Sequence, residues 1–466
     1  MNEKGNGSNT QKRKFGLLTT VAMIVGIVVG SGIFFKTPQI LMRVNGNVSV
    51  GIAVFLVAAI GIIFGGLTIS QYAHKDENVG GIISYCEMAW GKTVGYIAGW
   101  FQTVFYFPAI CAVIAWVAAN YTCALFGLPN LLVNGQFGPE VWILAIVYLF
   151  GGYLLNAFAT VNAGKFQNAA MFIKMGALIV LAGGGILFGD PVKVIEGAAA
   201  YHTNSSGFLS ALVIVVFAFD GWMIAPSIAH EIKNPKRNLP LALTMAPLIV
   251  TGIYLAYFIG VTALAGPDMI LQGHDPLQFV ATTLFGPMGM KIVMVFVIIS
   301  VLGTLNGIIL GYIRLPYALA LRGEIQMSET LSKVNKKYDI PFASAIFTLV
   351  MSLIWLALHW LSIDGANVYG MSIFAGLEVD NLPIVSTYIF NGLLYLAVII
   401  KGVEGRKLNV VQRYVFPILA LVGAGLVIYG GVIQPKFNVY FFICILGILA
   451  GIFIRPKQKT SAKIDE

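Results

Sequence analysis

Twelve stretches of this chain are apolar and nearly free of charge over lengths that can cross a lipid bilayer. They run approximately over 16–42, 48–71, 92–126, 139–158, 166–189, 206–230, 240–266, 286–322, 341–360, 381–401, 414–433 and 438–454. A hydrocarbon layer about 30 Å thick takes roughly 20 apolar residues to cross as a helix. Lipid offers no partner to an open backbone, so only helices and closed barrels span it. Runs this long are helices, and the expected fold is an all-α membrane protein of twelve transmembrane helices.

Composition agrees. Of the 466 residues 58% are hydrophobic and 11% are charged, against roughly 25% charged in soluble domains. The connecting segments are short, which leaves no room for a separate soluble domain. Lys12, Arg13 and Lys14 precede the first run as they would in a secretory signal. No small-residue cleavage site follows, and the run is too long for a signal core, so it reads as the first span.

The net charge is +9. An even number of spans puts both ends of the chain on one side, and 22 of the 29 Lys and Arg fall on that side. Cytoplasmic loops carry such an excess, so both termini are expected in the cytoplasm of a multi-pass protein of the cell membrane. The four cysteines, Cys86, Cys111, Cys123 and Cys444, have no paired spacing. His74, His202, His230, His274 and His359 lie at segment ends or in loops, without metal-ligand spacing or a nearby nucleophile motif. No enzyme, metal or cofactor is expected, and no repeated filter-like loop suggests a channel.

Two spans contain residues that a continuous helix would avoid. In VGIVVGSGIFF (25–35), Gly30, Ser31 and Gly32 fall mid-run, and each helical glycine costs about 1 kcal/mol relative to alanine. Small residues also permit close helix packing, which accounts for Gly26 and Gly30 but less well for the dense triplet. In FAFDGW (217–222), Asp220 stands directly before Gly221 within the sixth run. A carboxylate at membrane depth marks function by default; an internal cap or ion-pair partner is the other reading. The two irregular spans lie five apart. Interrupted helices in corresponding positions of two halves point to an inverted-repeat transporter. Their freed N–H and C=O groups, with opposite partial charges at the half-helix ends, suit a ligand bearing a carboxylate and an ammonium close together.

These residues also carry a resemblance. VVGSGIFF is similar to the first-helix signature of the amino acid–polyamine–organocation superfamily. FAFDGW with HEIKNPKRNLP resembles the sixth helix and following loop of its L-type amino acid transporter branch. GGIISYCEMAWG (80–91) and GTLNGIILGYIR (303–314) follow in the family's order. The resemblance covers nearly the whole chain and is strongest to bacterial exchangers of serine and threonine or of alanine, serine and cysteine.

The resemblance implies a LeuT-like 5+5 inverted repeat with helices 1 and 6 broken. The first repeat would occupy 15–190, the second 191–401 and two further helices 402–455, with cytoplasmic tails at 1–14 and 456–466. It implies sodium-independent exchange of small neutral L-amino acids by alternating access. Carried over by position, Gly30, Ser31 and Gly32 offer N–H groups to the substrate carboxylate. The carbonyls of Val28, Phe217, Ala218 and Asp220 receive its ammonium, and the Phe217 ring gates the site. Lys174 stands alone in AAMFIKMGALIVL. It either snorkels to an interface or, as in similar transporters, replaces a sodium ion, bridging carbonyls near Gly26 and Val29 to Thr304 or Ser300. Met223 stands where several relatives have asparagine, so side-chain selectivity does not carry over. Residues 127–139 lack the cysteine through which animal members join a glycoprotein, so no disulfide-linked heavy subunit is expected. A proton-coupled symporter, or a carrier of cationic amino acids or polyamines, is the alternative, with Asp220 the obvious pocket carboxylate.

Overall fold

The computed structural model describes residues 16–30, 32–73, 81–128, 138–158, 160–222, 232–335, 337–338, 340–365, 379, 381–434 and 436–456. The described residues are almost entirely helical. In chain order they form α1 (Leu17–Val28), α2 (Gly32–Arg43), α3 (Val48–Ala73), α4 (Gly81–Trp90), α5 (Lys92–Phe101), α6 (Phe107–Phe126), α7 (Pro139–Phe158), α8 (Thr160–Phe188), α9 (Pro191–Gly197) and α10 (Ser205–Ala218). There follow α11 (Pro235–Ala265), α12 (Pro267–Leu271), α13 (Pro276–Tyr312), α14 (Arg314–Leu321), α15 (Ser328–Leu331), α16 (Phe342–Trp360), α17 (Asn381–Lys401), α18 (Phe416–Val432) and α19 (Phe437–Ile454).

Among the described residues ten helical stretches are long and apolar enough to cross a membrane, eleven if the bent pair α1 and α2 forms one span. The expected sixth span, 206–230, contributes the shorter apolar helix α10, and its continuation at 223–231 lies outside the described residues. The chain therefore builds an all-helical, multi-pass membrane protein. Its outer surface is apolar, with Ile143, Leu154, Phe172, Leu187, Val422 and Phe453 exposed, as lipid rather than water requires.

Two boundaries differ from the sequence reading. Helix already runs from Pro276, ahead of the expected start at 286. Gly286, with φ 71° and ψ −179°, leaves helical geometry and separates that short helix from the one that starts at Pro287, so the Gly-Pro pair does mark a helix boundary. Likewise α11 begins at Pro235, and Pro240 lies inside it; a proline is at home in the first turn, which makes either one a plausible start.

The third span lies deepest. In the most apolar part of Lys92–Phe126, 78% of residues are buried inside the protein, against 12% for α19. Between α5 and α6 this span runs through a π-helical turn, Gln102–Tyr106. Around it α8 packs on α11 and α13, α6 on α13 and α7, and α3 on α18 and α11. The two irregular helices sit within this frame, α1 against α11 and α2 against α10.

Candidate site at the two helix breaks

The first span is broken. Helix α1 ends at Val28, Val29 is extended with φ −68° and ψ 93°, and α2 restarts at Gly32 on an axis bent by 56°. In the sixth, α10 ends at Ala218 and residues 219–222 form a turn. There Gly221 takes φ +98°, a conformation that side chains resist. The two breaks touch. A Cβ on Gly32 would lie 2.9 Å from the Cα of Ala218, so only glycine lets the backbones come this close.

Three half-helix ends therefore converge. The C-terminal ends of α1 and α10 present carbonyls, each end carrying roughly half a negative charge, and the N-terminal end of α2 presents N–H groups with the opposite sign. The carbonyls of Val28 and Ala218 do not stand open. The hydroxyl of Tyr254, on α11, lies 3.0 Å from the first and 2.9 Å from the second. One hydroxyl thus bridges both breaks.

The remaining predicted residues fall into two groups. Around the junction, Gly30 packs on Thr304, whose Oγ1 a Cβ would meet at 3.0 Å. Phe217 is buried and meets Phe35 edge-to-face at 5.7 Å, with the Lys36 ammonium 4.8 Å from its ring centroid. Asp220 donates its N–H to the Phe217 carbonyl at 3.0 Å and accepts the Tyr106 hydroxyl at Oδ2. Ser31 lies outside the described residues.

The second group lies one helical turn back along α1. Lys174, on α8, is 1% exposed and donates from Nζ to the carbonyl of Gly26 at 2.5 Å. An ammonium this deep is tolerated only with oxygen partners. Val29 is fully buried, and its N–H is spent on the Val25 carbonyl at 2.8 Å. Thr304 donates to the Ser300 carbonyl at 3.2 Å, leaving the Ser300 Oγ without a hydrogen-bond partner among the described residues.

The sequence profile of the amino acid permease family matches residues 15–461. The chain belongs to that family. As a whole-length relative it resembles the serine/threonine exchanger SteT of Bacillus subtilis (strain 168), 28% identical over 449 residues and 95% of each chain. It is 26% identical to the human b(0,+)-type amino acid transporter 1 over 459 residues, covering 95% of this chain and 87% of that one. It is also 26% identical to the mouse large neutral amino acids transporter small subunit 2 over 364 residues, 76% of this chain and 66% of that one. The permease is thus a membrane transporter of the amino acid–polyamine–organocation superfamily and no enzyme.

Two residues of the permease's site went unnoticed in the sequence, Tyr254 and Tyr106. Each is a phenol inside an apolar run, and a buried hydroxyl must find a partner. That was the available signal, but which carbonyl or carboxylate it reaches depends on packing between spans far apart in the chain.

Proposed function

We propose that the protein exchanges small neutral L-amino acids across the cell membrane, independently of sodium, by alternating access. The observation that carries this reading is the meeting of α1, α2 and α10 at Gly32 and Ala218. The N–H groups at one helix end and the carbonyls at two others are brought close together there, an arrangement that suits the carboxylate and ammonium of an α-amino acid. In this reading the N–H groups of Gly30, Ser31 and Gly32 take the carboxylate. The ammonium joins Tyr254 at the carbonyls of Val28 and Ala218, with those of Phe217 and Asp220 beside them.

Sodium independence is supported by Lys174. Its Nζ donates to the Gly26 carbonyl beside the broken first span, where an ammonium would take the place of a sodium ion. The same reading assigns the chain a LeuT-like 5+5 inverted repeat within twelve spans, with repeats at 15–190 and 191–401, two added helices at 402–455 and both tails in the cytoplasm. It works without a heavy subunit, in keeping with four cysteines that are free and buried. The relative named as a serine/threonine exchanger supports antiport.

The deciding experiment is labelled alanine uptake into proteoliposomes with and without internal alanine or serine. Exchange predicts uptake only into loaded vesicles. Equal uptake into empty ones removes the exchange reading. The Asp220 carboxylate favours one rival, proton symport. Net uptake into empty vesicles driven by an imposed proton gradient would identify it.

A further inference from the structure

The third span carries an irregularity that the transport reading leaves unexplained. A π-turn such as Gln102–Tyr106 disturbs the regular hydrogen-bond ladder and is kept mostly at functional places. Here two neighbours satisfy its carbonyls. Tyr312 on α13 donates its hydroxyl to the Thr103 carbonyl at 2.6 Å, and Trp355 on α16 donates its indole N–H to the Val104 carbonyl at 2.7 Å. Phe107 stacks on the Tyr312 ring with centroids 5.6 Å apart. Two other spans thus hold one short stretch in an unusual shape.

What that shape aims is Tyr106, whose hydroxyl donates to Oδ2 of Asp220. Asp220 is only half-buried, although Phe219 and Trp222 on either side of its turn are buried. It stands in the turn that follows α10, next to the point where that helix meets Gly32. The Gly221 backbone N–H also bonds the carboxylate, and Tyr388 on α17, bonded to the Trp222 indole, stands within its electrostatic reach.

A bare carboxylate beside an amino-acid pocket is a counter-charge for a cationic side chain. A carboxylate that accepts a phenol is already committed to a charge-assisted hydrogen bond, about twice as strong as a neutral one. A lysine or ornithine side chain reaching it has to displace a hydroxyl whose backbone is pinned from two sides. We propose that Tyr106 is a positioning residue that sets selection against cationic amino acids, by occupying the Asp220 carboxylate from the π-turn of the third span. The inference rests on the proposed amino-acid pocket at the two breaks and deepens it.

The test is competition against labelled alanine exchange in proteoliposomes, with serine and lysine as competitors. In the wild type, serine competes and lysine is at least tenfold weaker. Tyr106→Phe lowers the half-inhibitory concentration of lysine at least tenfold and moves that of serine less than threefold. Adding Asp220→Asn to Tyr106→Phe removes the gain. A wild type on which lysine competes as well as serine overturns the proposal, and so does a Tyr106→Phe protein with an unchanged lysine-to-serine ratio. Should Tyr106→Phe fail to fold, Trp355→Phe decides, because it frees the Val104 carbonyl and keeps the phenol. A gain in lysine competition supports the proposal there, and an unchanged ratio sinks it. Absence of any alanine exchange in the wild type is a different failure, that of the pocket reading itself.

Discussion

The Lys174 ammonium lies 2.5 Å from the carbonyl of Gly26, on a helix 148 residues earlier in the chain. The bond fastens the fifth span to α1, the N-terminal half of the broken first span. Replacing Lys174 with methionine keeps most of the volume and removes the donor. The buried carbonyl then loses its partner, at a cost of about 1–3 kcal/mol. Alanine exchange by Lys174→Met is expected to fall at least about tenfold, since 1.4 kcal/mol is a tenfold change in rate. The variant should still elute as a monodisperse peak. Normal exchange would show the ammonium to be dispensable.

The same charge bears on the driving ion. A fixed ammonium beside the first break leaves no need for a metal cation there. Exchange in choline medium should match exchange in sodium medium to within experimental scatter. A steep dependence on sodium concentration would defeat the assignment of Lys174.

Tyr254→Phe removes one hydroxyl from two carbonyls and little else. A hydrogen bond of this kind contributes about 0.5–1.5 kcal/mol. The expected result is a threefold to tenfold rise in the KM for alanine, with the protein still folded. An unchanged KM would mean that the Val28 and Ala218 carbonyls take no part in binding.

Gly32→Ala forces a methyl group to within 2.9 Å of the Ala218 Cα. Overpacking of this sort costs about 1–3 kcal/mol, and here it falls on backbone, which cannot rotate away. Alanine binding should be lost and the melting temperature lowered. Gly176→Ala, on α8 two residues from Lys174, has nothing within 4 Å to meet and serves as the control. Equal behaviour of the two variants would refute the close approach of the breaks.

Both irregular places were visible in the sequence because they go against a strong background. In a run where nearly every residue suits a lipid-facing helix, Gly30, Ser31 and Gly32 stand out, and so does Asp220 beside Gly221. The positions of most spans were visible for the same reason. What could not be read was anything set by packing between distant spans. The partner of Asp220 depends on a π-turn held by Tyr312 and Trp355, and no local pattern in FQTVFYFP announces it. Lys36 is likewise buried over the Phe35 and Phe217 rings, a contact between two spans that no local pattern announces. Gly286 and Pro287 were legible as a helix boundary and the backbone does leave helical geometry there, but the short helix that precedes it from Pro276 was not read.

The contact of Gly32 with Ala218 leaves no slack between the first and sixth spans. With backbone resting on backbone, α2 cannot swing toward α10 without pushing it, so the two behave as meshed gears. Any closing movement of one half-helix toward the other is thus handed on as a push.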